Sequence, residues 1–600
     1  MRFLSNLLAS ALGTLVALAI IFFIMLLFFF AVIAASDQTP SVKSGSVLVV
    51  EMQGSIPEIV SGDPLMQALA SEPGYGLRDL VSAIDQAAAD DRIEAIWLQM
   101  HGVASPWSSL QEIRSALLRF KESEKPIYAS SEDYTMAEAE YFVASVADSV
   151  FANEQAMFEF NGFYMTLEFY QGLLEKLDIE PQIVRAGKFK SAVEPFIRED
   201  LSPENEAQLM AILDTQNDEF MKAVAESRGL SADSLKAQAS NDAIITATRA
   251  FDAGLLDGLL YEDQVRDVIK RRLGVQEDED LETISMESYT RVPASDAGLE
   301  VNREGDIAIV YAEGAIMSGK SSQGGPFSGA VLGAETLAKA MREARENESV
   351  KAVVLRINSP GGSASASDAM WREIKMTAEK KPLVVSMGGL AASGGYWIAT
   401  AGETIVADPL TITGSIGVFA LLMDVSGMFE NKLGITFDGI RTSPYADLFS
   451  GVRPLSEAEQ AMLAGFVDET YDDFLQRVAE SRGIDPAQVD SIGQGRVWTG
   501  RDALAVGLVD TLGSLKNAVE IAARKAELGD GPYRIRVLPR PKTFVEQLSE
   551  SFNAKVASVW TRLTSSPLEE ALLRQARILA AAAEGSGEVQ ARMMYEVRIR

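Results

Sequence analysis

Two glycine pairs in the second half of the chain each follow a short apolar strand. The strand KAVVLRI runs into NSPGGSASASD at 358–368, and the strand KPLVVS runs into MGGLAASGGYWIAT at 387–400. Glycine at such a junction lets the backbone approach a ligand and point free N–H groups at it. A single PGG segment is usually only a turn. Two pairs after two neighbouring strands, Gly361-Gly362 and Gly394-Gly395, instead predict a site that uses exposed backbone N–H groups.

Ser393 lies between the second of these strands and a predicted helix that contains Tyr396 and Trp397. The helix dipole stabilises negative charge at this end of a helix, and the N–H of Gly394 is placed to hold an oxyanion. Such a position is typical of a nucleophile. The other nearby serines are explained more simply as loop, cap or helix-surface residues. They are Ser359, Ser363, Ser365 and Ser367.

The composition restricts which base can activate that serine. The chain has one His and no Cys, which excludes cysteine nucleophiles, disulfides, Cys-rich zinc sites and metal sites that need two histidines. His101 lies in the glycine-poor first half, where it aligns with Asn358 of the second half. It is interpreted as a structural side chain. A lysine is therefore the expected base, with its pKa lowered by burial or a nearby positive dipole so that the amine is neutral. The candidate is Lys190, in VRAGKFKSAVEPF at 184–196.

An internal duplication relates the two halves of the chain. SVLVVEMQGSI at 46–56 parallels DIAIVYAEGAI at 306–316, and GLLDGL at 254–259 parallels GLVDTL at 507–512. The separation between partners drifts only from 260 to 253 residues over this distance. The matches are therefore collinear and indicate two copies of one unit.

The two copies differ where the chemistry is expected. The first copy lacks both glycine pairs, and Ser393 aligns there with Glu138. Lys190 aligns with Ala446 in the second copy. The second copy thus keeps the serine without a lysine, and the first keeps the lysine without a serine. This reciprocal loss predicts a Ser-Lys dyad built across the interface between the repeats.

The elements that position these groups follow from the alternation of β-branched runs with helix-length stretches. This alternation predicts parallel βαβ units covered on both faces, and therefore an α/β fold for each repeat. Apolar residues at helical spacing in 201–229 and 455–483 predict long amphipathic helices for packing or subunit contact. The expected domains are a membrane anchor at 1–45, the first repeat at 46–275, an acidic linker at 276–304, the second repeat at 305–530 and a C-terminal helical extension at 531–600.

The N-terminal segment predicts a membrane anchor. From Phe3 to Ser36 there are 34 consecutive residues without Asp, Glu, Lys or Arg, and about 20 helical residues cross a bilayer core. The alternative is a cleaved signal peptide, whose apolar region is shorter, about 7–15 residues. Arg2 precedes the span with no acidic neighbour, while Asp37, Lys43 and Glu51 follow it. The positive-inside rule therefore weakly places the body outside the cytoplasm. We therefore expect one transmembrane helix and a body tethered at one end.

The motifs KSAVEPF, NSPGG, AASGGYW, TGSIGV and GRVWTGRDA together resemble those of the signal peptide peptidase A family in its long, tandem-repeat form. The resemblance covers nearly all of residues 1–530. It implies two tandem ClpP/crotonase-like repeats with long peripheral helices, in a membrane-anchored serine protease of the bacterial inner membrane. It also implies a homotetramer that degrades signal peptides and similar hydrophobic peptides on the periplasmic side, with no metal and no cofactor.

The same resemblance implies a role for each site residue. Ser393 is the expected nucleophile and Lys190 its general base. The backbone of Gly361 and Gly362 and the N–H of Gly394 are expected to form the oxyanion hole. Ser415 of TGSIGV is expected to orient the lysine.

Two other function classes remain open at this point. An acyl-CoA enzyme of the same fold would use the backbone oxyanion hole with Glu138 or Glu194 as acid or base. A non-catalytic membrane scaffold would keep the glycine loops only as remnants of an enzyme. A nucleic-acid binder is disfavoured, because 85 acidic and 54 basic side chains give a net charge of −31, whereas phosphate contact needs a basic face.

Overall fold

The computed structural model describes residues 40–60, 74–529 apart from 132, 134, 242 and 323–328, then 531–540 and 590–592, with eight further residues between 13 and 24. The membrane anchor predicted at 1–45 therefore lies mostly outside the described residues. Within the described part of the chain, no helix combines the length and the apolar character needed to cross a bilayer.

Short strands and helices alternate along most of the described chain. The strands are β1 (Ser46–Gly54), β2 (Ile93–Val103), β3 (Ile127–Ser131), β4 (Thr135–Met136), β5 (Ser149–Ala152), β6 (Met157–Phe158), β7 (Glu180–Ala186), β8 (Gly258–Leu259), β9 (Thr283–Ser285), β10 (Asn302–Glu313), β11 (Ala315–Met317), β12 (Val331–Gly333), β13 (Val350–Ser359), β14 (Gly361–Ser363), β15 (Leu383–Ala392), β16 (Thr404–Ala407), β17 (Ile412–Gly414), β18 (Val418–Asp424), β19 (Val497–Thr499), β20 (Thr511–Leu512), β21 (Tyr533–Leu538) and β22 (Gln590–Arg592). The α-helices are α1 (Leu77–Ala89), α2 (Trp107–Lys121), α3 (Glu138–Ala144), α4 (Gln171–Leu177), α5 (Glu194–Ile197), α6 (Pro203–Arg228), α7 (Ala232–Asn241), α8 (Ala247–Asp252), α9 (Glu262–Leu273), α10 (Met286–Tyr289), α11 (Ala334–Glu346), α12 (Ala364–Ala378), α13 (Gly394–Ala399), α14 (Glu457–Arg482), α15 (Pro486–Ile492), α16 (Gly500–Ala505) and α17 (Leu515–Lys525).

Two parallel sheets with the same strand order confirm the predicted α/β repeats. The first sheet has the order β8-β5-β3-β2-β1-β9 and the second contains the equivalent order β20-β16-β15-β13-β10-β21. The second sheet also extends from β15 through β17 to β19. Equivalent side chains make equivalent bonds: the hydroxyls of Tyr141 and Tyr396 each donate to a backbone carbonyl at 2.7 Å, on Leu255 and Leu508 respectively.

Each parallel sheet is covered on both faces, as its continuous apolar strands predict. Along β13, Val353 and Leu355 belong to one buried core, while Val354, which points to the opposite face, belongs to another. The first core includes Met341 of α11 and the second includes Ala522 of α17. Successive strand residues therefore reach two separate helical layers.

The predicted long amphipathic helices are present as α6 and α14, each 26 residues long. Ser202 caps the first helix and Ser456 the second, each by accepting a backbone N–H bond from the first turn. Gly229 and Gly483 end the two helices in the left-handed conformation, which glycine adopts without steric cost. The sequence VAESRG, which occurs at 224–229 and again at 478–483, thus marks two helix C-termini.

Strands occur in two ranges for which the sequence predicted other structure. β9 lies in the predicted acidic linker and pairs in parallel with β1, so the first sheet extends into 276–304. β21 and β22 lie in the predicted helical extension, and β21 pairs in parallel with β10. The helix prediction is therefore wrong for these described residues. In β21, YRIRVL alternates polar and apolar side chains with the period of a strand, a pattern that outweighs the mixed-charge helical spacing.

A third sheet joins the two repeats. Its order is β12-β11-β14-β22-β18-β7, in which β7 comes from the first repeat and β18 from the second. These two strands are antiparallel, with a register that runs from Ala186 opposite Val418 to Glu180 opposite Asp424. The segment that follows β7, which contains Lys190, therefore lies against the second repeat.

A buried ion cluster also connects the repeats. The guanidinium of Arg356, on β13, lies 2.8 Å from the carboxylates of Glu58 and of Glu112, both in the first repeat. It also donates to the carbonyl of Met387 on β15 at 3.2 Å. Removing one partner from such a buried cluster costs about 3–5 kcal/mol, because the remaining charges are left unpaired. The cluster therefore fixes the first repeat against the two strands that lead to the glycine pairs.

Candidate active site

Ser393 lies at a sharp turn between β15 and α13. Its φ is 55° and its ψ is −117°, a backbone conformation that residues other than glycine rarely adopt. Backbone bonds hold the turn: the Ser393 N–H donates to the Gly414 carbonyl, and the Trp397 N–H donates to the Ser393 carbonyl, both at 2.8 Å. Ser393 occupies the N-cap position but its side chain makes no capping bond. The helix therefore does not consume its hydroxyl.

Lys190 of the first repeat meets Ser393 of the second. The Nζ of Lys190 lies 2.7 Å from Ser393 Oγ. The lysine is 1% exposed and the serine 0%, and among the described residues no carboxylate lies within ion-pair distance of the lysine. Burial lowers the pKa of Lys190 from 10.5 to about 7, because the ammonium form is desolvated. The neutral amine is thus available near neutral pH.

Ser415 also contacts the amine of Lys190, through two of its oxygen atoms. Lys190 Nζ lies 3.1 Å from both the Oγ and the carbonyl oxygen of Ser415. Ser415 has a φ of 51°, and its N–H donates to the carbonyl of Arg496 at 2.7 Å. A neutral amine has two N–H donors and one lone pair. With both N–H groups directed at Ser415, the lone pair is left to receive the proton of Ser393.

A loop of the second repeat holds the lysine backbone in place. The Phe189 N–H donates to the carbonyl of Gln494 at 2.8 Å. The next residue, Gly495, has a φ of 76°, and a Cβ added there would lie 2.6 Å from the backbone nitrogen of Lys190. Only glycine allows this approach. The GRVWTGRDA segment, which begins at Gly495, therefore forms part of the seat of the lysine.

Gln208 of α6 bridges the same elements. Its Nε2 donates to Ser191 Oγ at 2.8 Å, and its Oε1 accepts the N–H of Val497 at 3.2 Å. Gln208 is buried and was not predicted from the sequence. The sequence does carry a signal for Gln208, because the duplication places Met462, which cannot make these hydrogen bonds, at the equivalent position of α14. In the structure that methionine is half exposed. The asymmetry resembles the one that singled out Lys190.

The glycine-rich strand β14 lies against the start of α13. A Cβ added at Gly395 would lie 2.7 Å from the carbonyl oxygen of Ser359, which immediately precedes the turn into β14. Gly362 is equally constrained, since its Cβ would lie 2.0 Å from the carbonyl oxygen of Ile316. Two of the predicted oxyanion donors differ in whether their N–H already has a hydrogen-bond acceptor. The N–H of Gly361 donates to Ser359 Oγ at 3.2 Å, whereas Gly394 is the first residue of α13, where backbone N–H groups have no intrahelical acceptor.

The four competing serines have structural roles. Ser359 Oγ donates to the carbonyl of Gly314 at 2.7 Å. Ser363 caps α12, and its Oγ lies 3.1 Å from that of Ser365. Ser367 Oγ donates to the carbonyl of Ser363, one turn earlier in the helix. These hydroxyls do not contact Lys190.

In the equivalent region of the first repeat, two carboxylates accept hydrogen bonds from backbone N–H groups. Glu138, the counterpart of Ser393, accepts the N–H of Asn161 at 2.9 Å. Glu140 accepts the N–H of Gly102 at 2.7 Å and also bonds the backbone at the start of its own helix. Burial raises the pKa of both glutamates. Backbone N–H groups that could hold a ligand are therefore already satisfied within the protein.

Two other candidate acid-base residues lie outside the Ser-Lys contact. His101 is paired with Asp133, with Nδ1 3.7 Å from the carboxylate. The carboxylate of Glu194 accepts bonds from Ser202 Oγ at 2.6 Å and from Asn205 Nδ2 at 3.2 Å. Glu194 therefore anchors the N-terminus of α6 to the lysine loop, which is a structural role.

Comparison with known proteins gives a consistent set of similarities. A family model described as "Peptidase family S49" matches residues 119–276 and 375–529, one segment in each repeat. A "Clp protease" model matches residues 333–407, which include the glycine pairs and Ser393.

Three relatives align with most of the chain. The chain is 34% identical to "Serine protease SPPA, chloroplastic" of Arabidopsis thaliana, over 86% of this chain and 75% of that protein. It is 38% identical to "Protease 4" of Salmonella typhi, over 75% and 72% respectively. It is 34% identical to "Protease 4" of Haemophilus influenzae, over 74% and 72%.

Proposed function

Because the chain belongs to peptidase family S49 and is a serine protease, we propose that it cleaves peptides with a catalytic dyad of Ser393 and Lys190. The observation that carries this proposal is the 2.7 Å contact between Lys190 Nζ and Ser393 Oγ, made by two buried side chains from different repeats. Neither Glu138 nor Glu194, the acid-base candidates of an acyl-CoA enzyme, is free for that role.

The first step is proton transfer from the serine to the lysine. Neutral Lys190 takes the proton of Ser393 through its lone pair while Ser415 holds its two N–H groups. Ser393 Oγ then attacks the carbonyl carbon of the scissile peptide bond, and the carbonyl oxygen becomes an oxyanion. Burial of the amine supports this step, because it keeps the base unprotonated near neutral pH.

The backbone around the serine stabilises the oxyanion. The Gly394 N–H, at the positive end of α13, and the Gly361-Gly362 backbone of β14 are the proposed donors. To take part, the Gly361 N–H would exchange its bond to Ser359 Oγ for one to the oxyanion. The lysinium gives its proton to the leaving amine as the C–N bond breaks and an acyl-enzyme forms. Water, deprotonated by the same lysine, then releases the acid product and restores Ser393.

The proposed substrates are signal peptides and similar hydrophobic peptides. One relative, from Enterococcus faecium, carries the name "Putative signal peptide peptidase SppA" and is 34% identical over 32% of this chain. An extended peptide can bind by adding to the edge of a β-strand through its backbone, with side chains supplying specificity. The uncharged run from Phe3 to Ser36 would place the enzyme where such peptides are left.

We also propose that the protein is a homotetramer in the bacterial inner membrane. A single N-terminal anchor would hold the body on the periplasmic side. Large apolar side chains are exposed between β18 and α14, which is unusual for a free surface and supports subunit contact there. They are Leu433, Ile435, Phe437, Ile440, Tyr445 and Phe449.

Peptide hydrolysis by single variants tests the proposed dyad. Ser393→Ala and Lys190→Ala should each lower the turnover of a hydrophobic peptide at least about a thousandfold, since the residues of a dyad act as one unit. Circular dichroism should show both variants folded. Near-normal turnover by Lys190→Ala would exclude the lysine as the base.

A further inference from the structure

Gln208 of α6 bonds both residues that flank Lys190. Its Nε2 donates to the carbonyl oxygen of Phe189 at 3.3 Å and to Ser191 Oγ at 2.8 Å. The side chain is buried, so these bonds are shielded from water. Lys190 lies between the two bonded residues, and its side chain can reach only as far as its backbone allows. The position of the lysine amine therefore depends on the loop that Gln208 holds.

The other end of the same amide binds the strand pair next to the nucleophile. Gln208 Oε1 accepts the N–H of Val497, the first residue of β19, at 3.2 Å. Val497 lies opposite Gly414 of β17 in that antiparallel pair. The Gly414 carbonyl in turn accepts the N–H of Ser393 at 2.8 Å. One side chain thus connects the loop of the lysine to the strands that hold the backbone of the serine.

A buried polar chain holds Gln208 itself. Its Nε2 lies 3.0 Å from Asn205 Oδ1, and Asn205 Nδ2 donates to the carboxylate of Glu194 at 3.2 Å. Asn205 and Glu194 are both at most 1% exposed. Such a buried network favours one arrangement of its side chains, because each broken bond would leave a polar group unpaired. The amide of Gln208 is therefore fixed in place, as a positioning role requires.

The second repeat has different residues at the equivalent positions of α14. Asn205 aligns with Glu459, and Gln208 aligns with Met462. Glu459 accepts a bond from Arg453 at 2.6 Å, and Met462 is half exposed. The pair of buried amides therefore occurs only in the repeat that contains the lysine.

We propose that Gln208 is a positioning residue, which holds the lysine loop against β19 so that Lys190 Nζ stays within reach of Ser393 Oγ. This inference rests on the proposed function, because Gln208 acts only through the dyad. Its hydrogen bonds go to the residues around the lysine and to β19, and the substrate is not involved. Loss of the amide should therefore lower kcat and leave KM nearly unchanged. A misplacement of about 1 Å can cost about a hundredfold in rate.

Gln208→Met in the full chain tests this role, because methionine is similar in volume and is the residue of the second repeat. Gln216→Met is the matched control. Gln216 is buried on the same helix, and its amide nitrogen has no hydrogen-bond partner among the described residues. With a quenched fluorescent hydrophobic peptide, we expect Gln208→Met to lower the plateau kcat about 10- to 100-fold and to change KM less than about twofold. The control should match the unmodified chain.

The pH profile gives a readout that a general loss of stability would not change. A loosened loop admits water to the amine, so the pKa of Lys190 should rise toward its ordinary value. The midpoint of the kcat/KM profile should therefore move to higher pH in Gln208→Met and stay unchanged in Gln216→Met. Equal kcat and equal midpoints in these two variants would overturn the inference.

Ser191→Ala is a second variant, which removes one acceptor of the Gln208 amide and leaves α6 intact. We expect a smaller fall in kcat, and the double variant should be no slower than Gln208→Met alone, because both changes act through one contact. Additive losses would overturn the inference. If Gln208→Met does not fold, an unchanged kcat in Ser191→Ala would overturn it instead. Absence of hydrolysis by the unmodified chain would contradict the proposed function, and this inference with it.

Discussion

Lys190 and Ser393 lie in different repeats, yet the Nζ of one and the Oγ of the other are 2.7 Å apart. The first repeat has Glu138 where the second has Ser393, and the second has Ala446 where the first has Lys190. The proposed dyad can therefore form only where the repeats meet. The β7–β18 pairing and the buried charges around Arg356 stabilise that junction.

The rate of hydrolysis should rise with pH through about 7. The base acts only as a neutral amine, and burial lowers the pKa of Lys190 to about 7. We expect kcat/KM for a non-ionising peptide to increase tenfold per pH unit well below that pKa and to level off above it. Steady-state kinetics from about pH 5 to 9 measures this. A rate that is constant or falls across this range would exclude Lys190 as the base.

Lys190→Met should abolish hydrolysis and stabilise the protein. The lysine pKa is about 7 in the folded state and 10.5 ordinarily, so the unfolded chain binds more protons between these values. Stability of the unmodified protein should therefore rise with pH over this window. The gain from Lys190→Met should be largest below pH 7, on the order of 5 kcal/mol, and should shrink toward pH 10.5. Urea unfolding at several pH values measures it, and a gain independent of pH would contradict the burial of a titrating amine.

Ser415→Ala should lower kcat about 10- to 100-fold and leave KM nearly unchanged. Ser415 touches the lysine, with Oγ 3.1 Å from Nζ, and its proposed role is to orient the lone pair of that amine as a positioning residue. Ser367→Ala is the matched control, because that buried hydroxyl bonds only within its own helix. Equal kcat values for the two variants, at equal melting temperature, would remove Ser415 from the mechanism.

Gly495→Ala should reduce turnover at least about 100-fold, because the added Cβ would displace the lysine backbone, 2.6 Å away. Gly483→Ala is the control that distinguishes the effect of this contact from the effect of backbone strain alone. Gly483 also has a positive φ, 65°, but nothing lies within 4 Å of its Cβ position. Both alanines should cost about 1 kcal/mol in stability from left-handed strain. Similar turnover in the two variants would show that Gly495 does not seat the lysine.

The duplication made much of this site predictable from the sequence. Two copies of one fold place equivalent residues at equivalent positions, so Ser393 against Glu138 and Lys190 against Ala446 could be compared without coordinates. The glycine pairs added a local signal, because backbone that must approach a reacting group excludes side chains. Both the comparison of the two copies and the glycine pairs depend on only a few residues each, so they can be read from the sequence alone.

Features that depend on distant partners were not predictable in this way. Tyr533–Leu538 alternates polar and apolar side chains as a strand does, but its partner β10 lies far earlier in the chain, and the segment itself does not specify that pairing. The bond from the Gly361 N–H to Ser359 likewise depends on how the turn folds back.

Labelling with a fluorophosphonate probe, followed by peptide mass mapping, tests the cross-repeat dyad most directly. The probe reacts only with a serine that a base has activated. In the full chain we predict one adduct, on Ser393, which forms faster as pH rises through about 7 and is lost in Lys190→Met. An adduct on another serine, or undiminished labelling of Ser393 in Lys190→Met, would contradict the dyad.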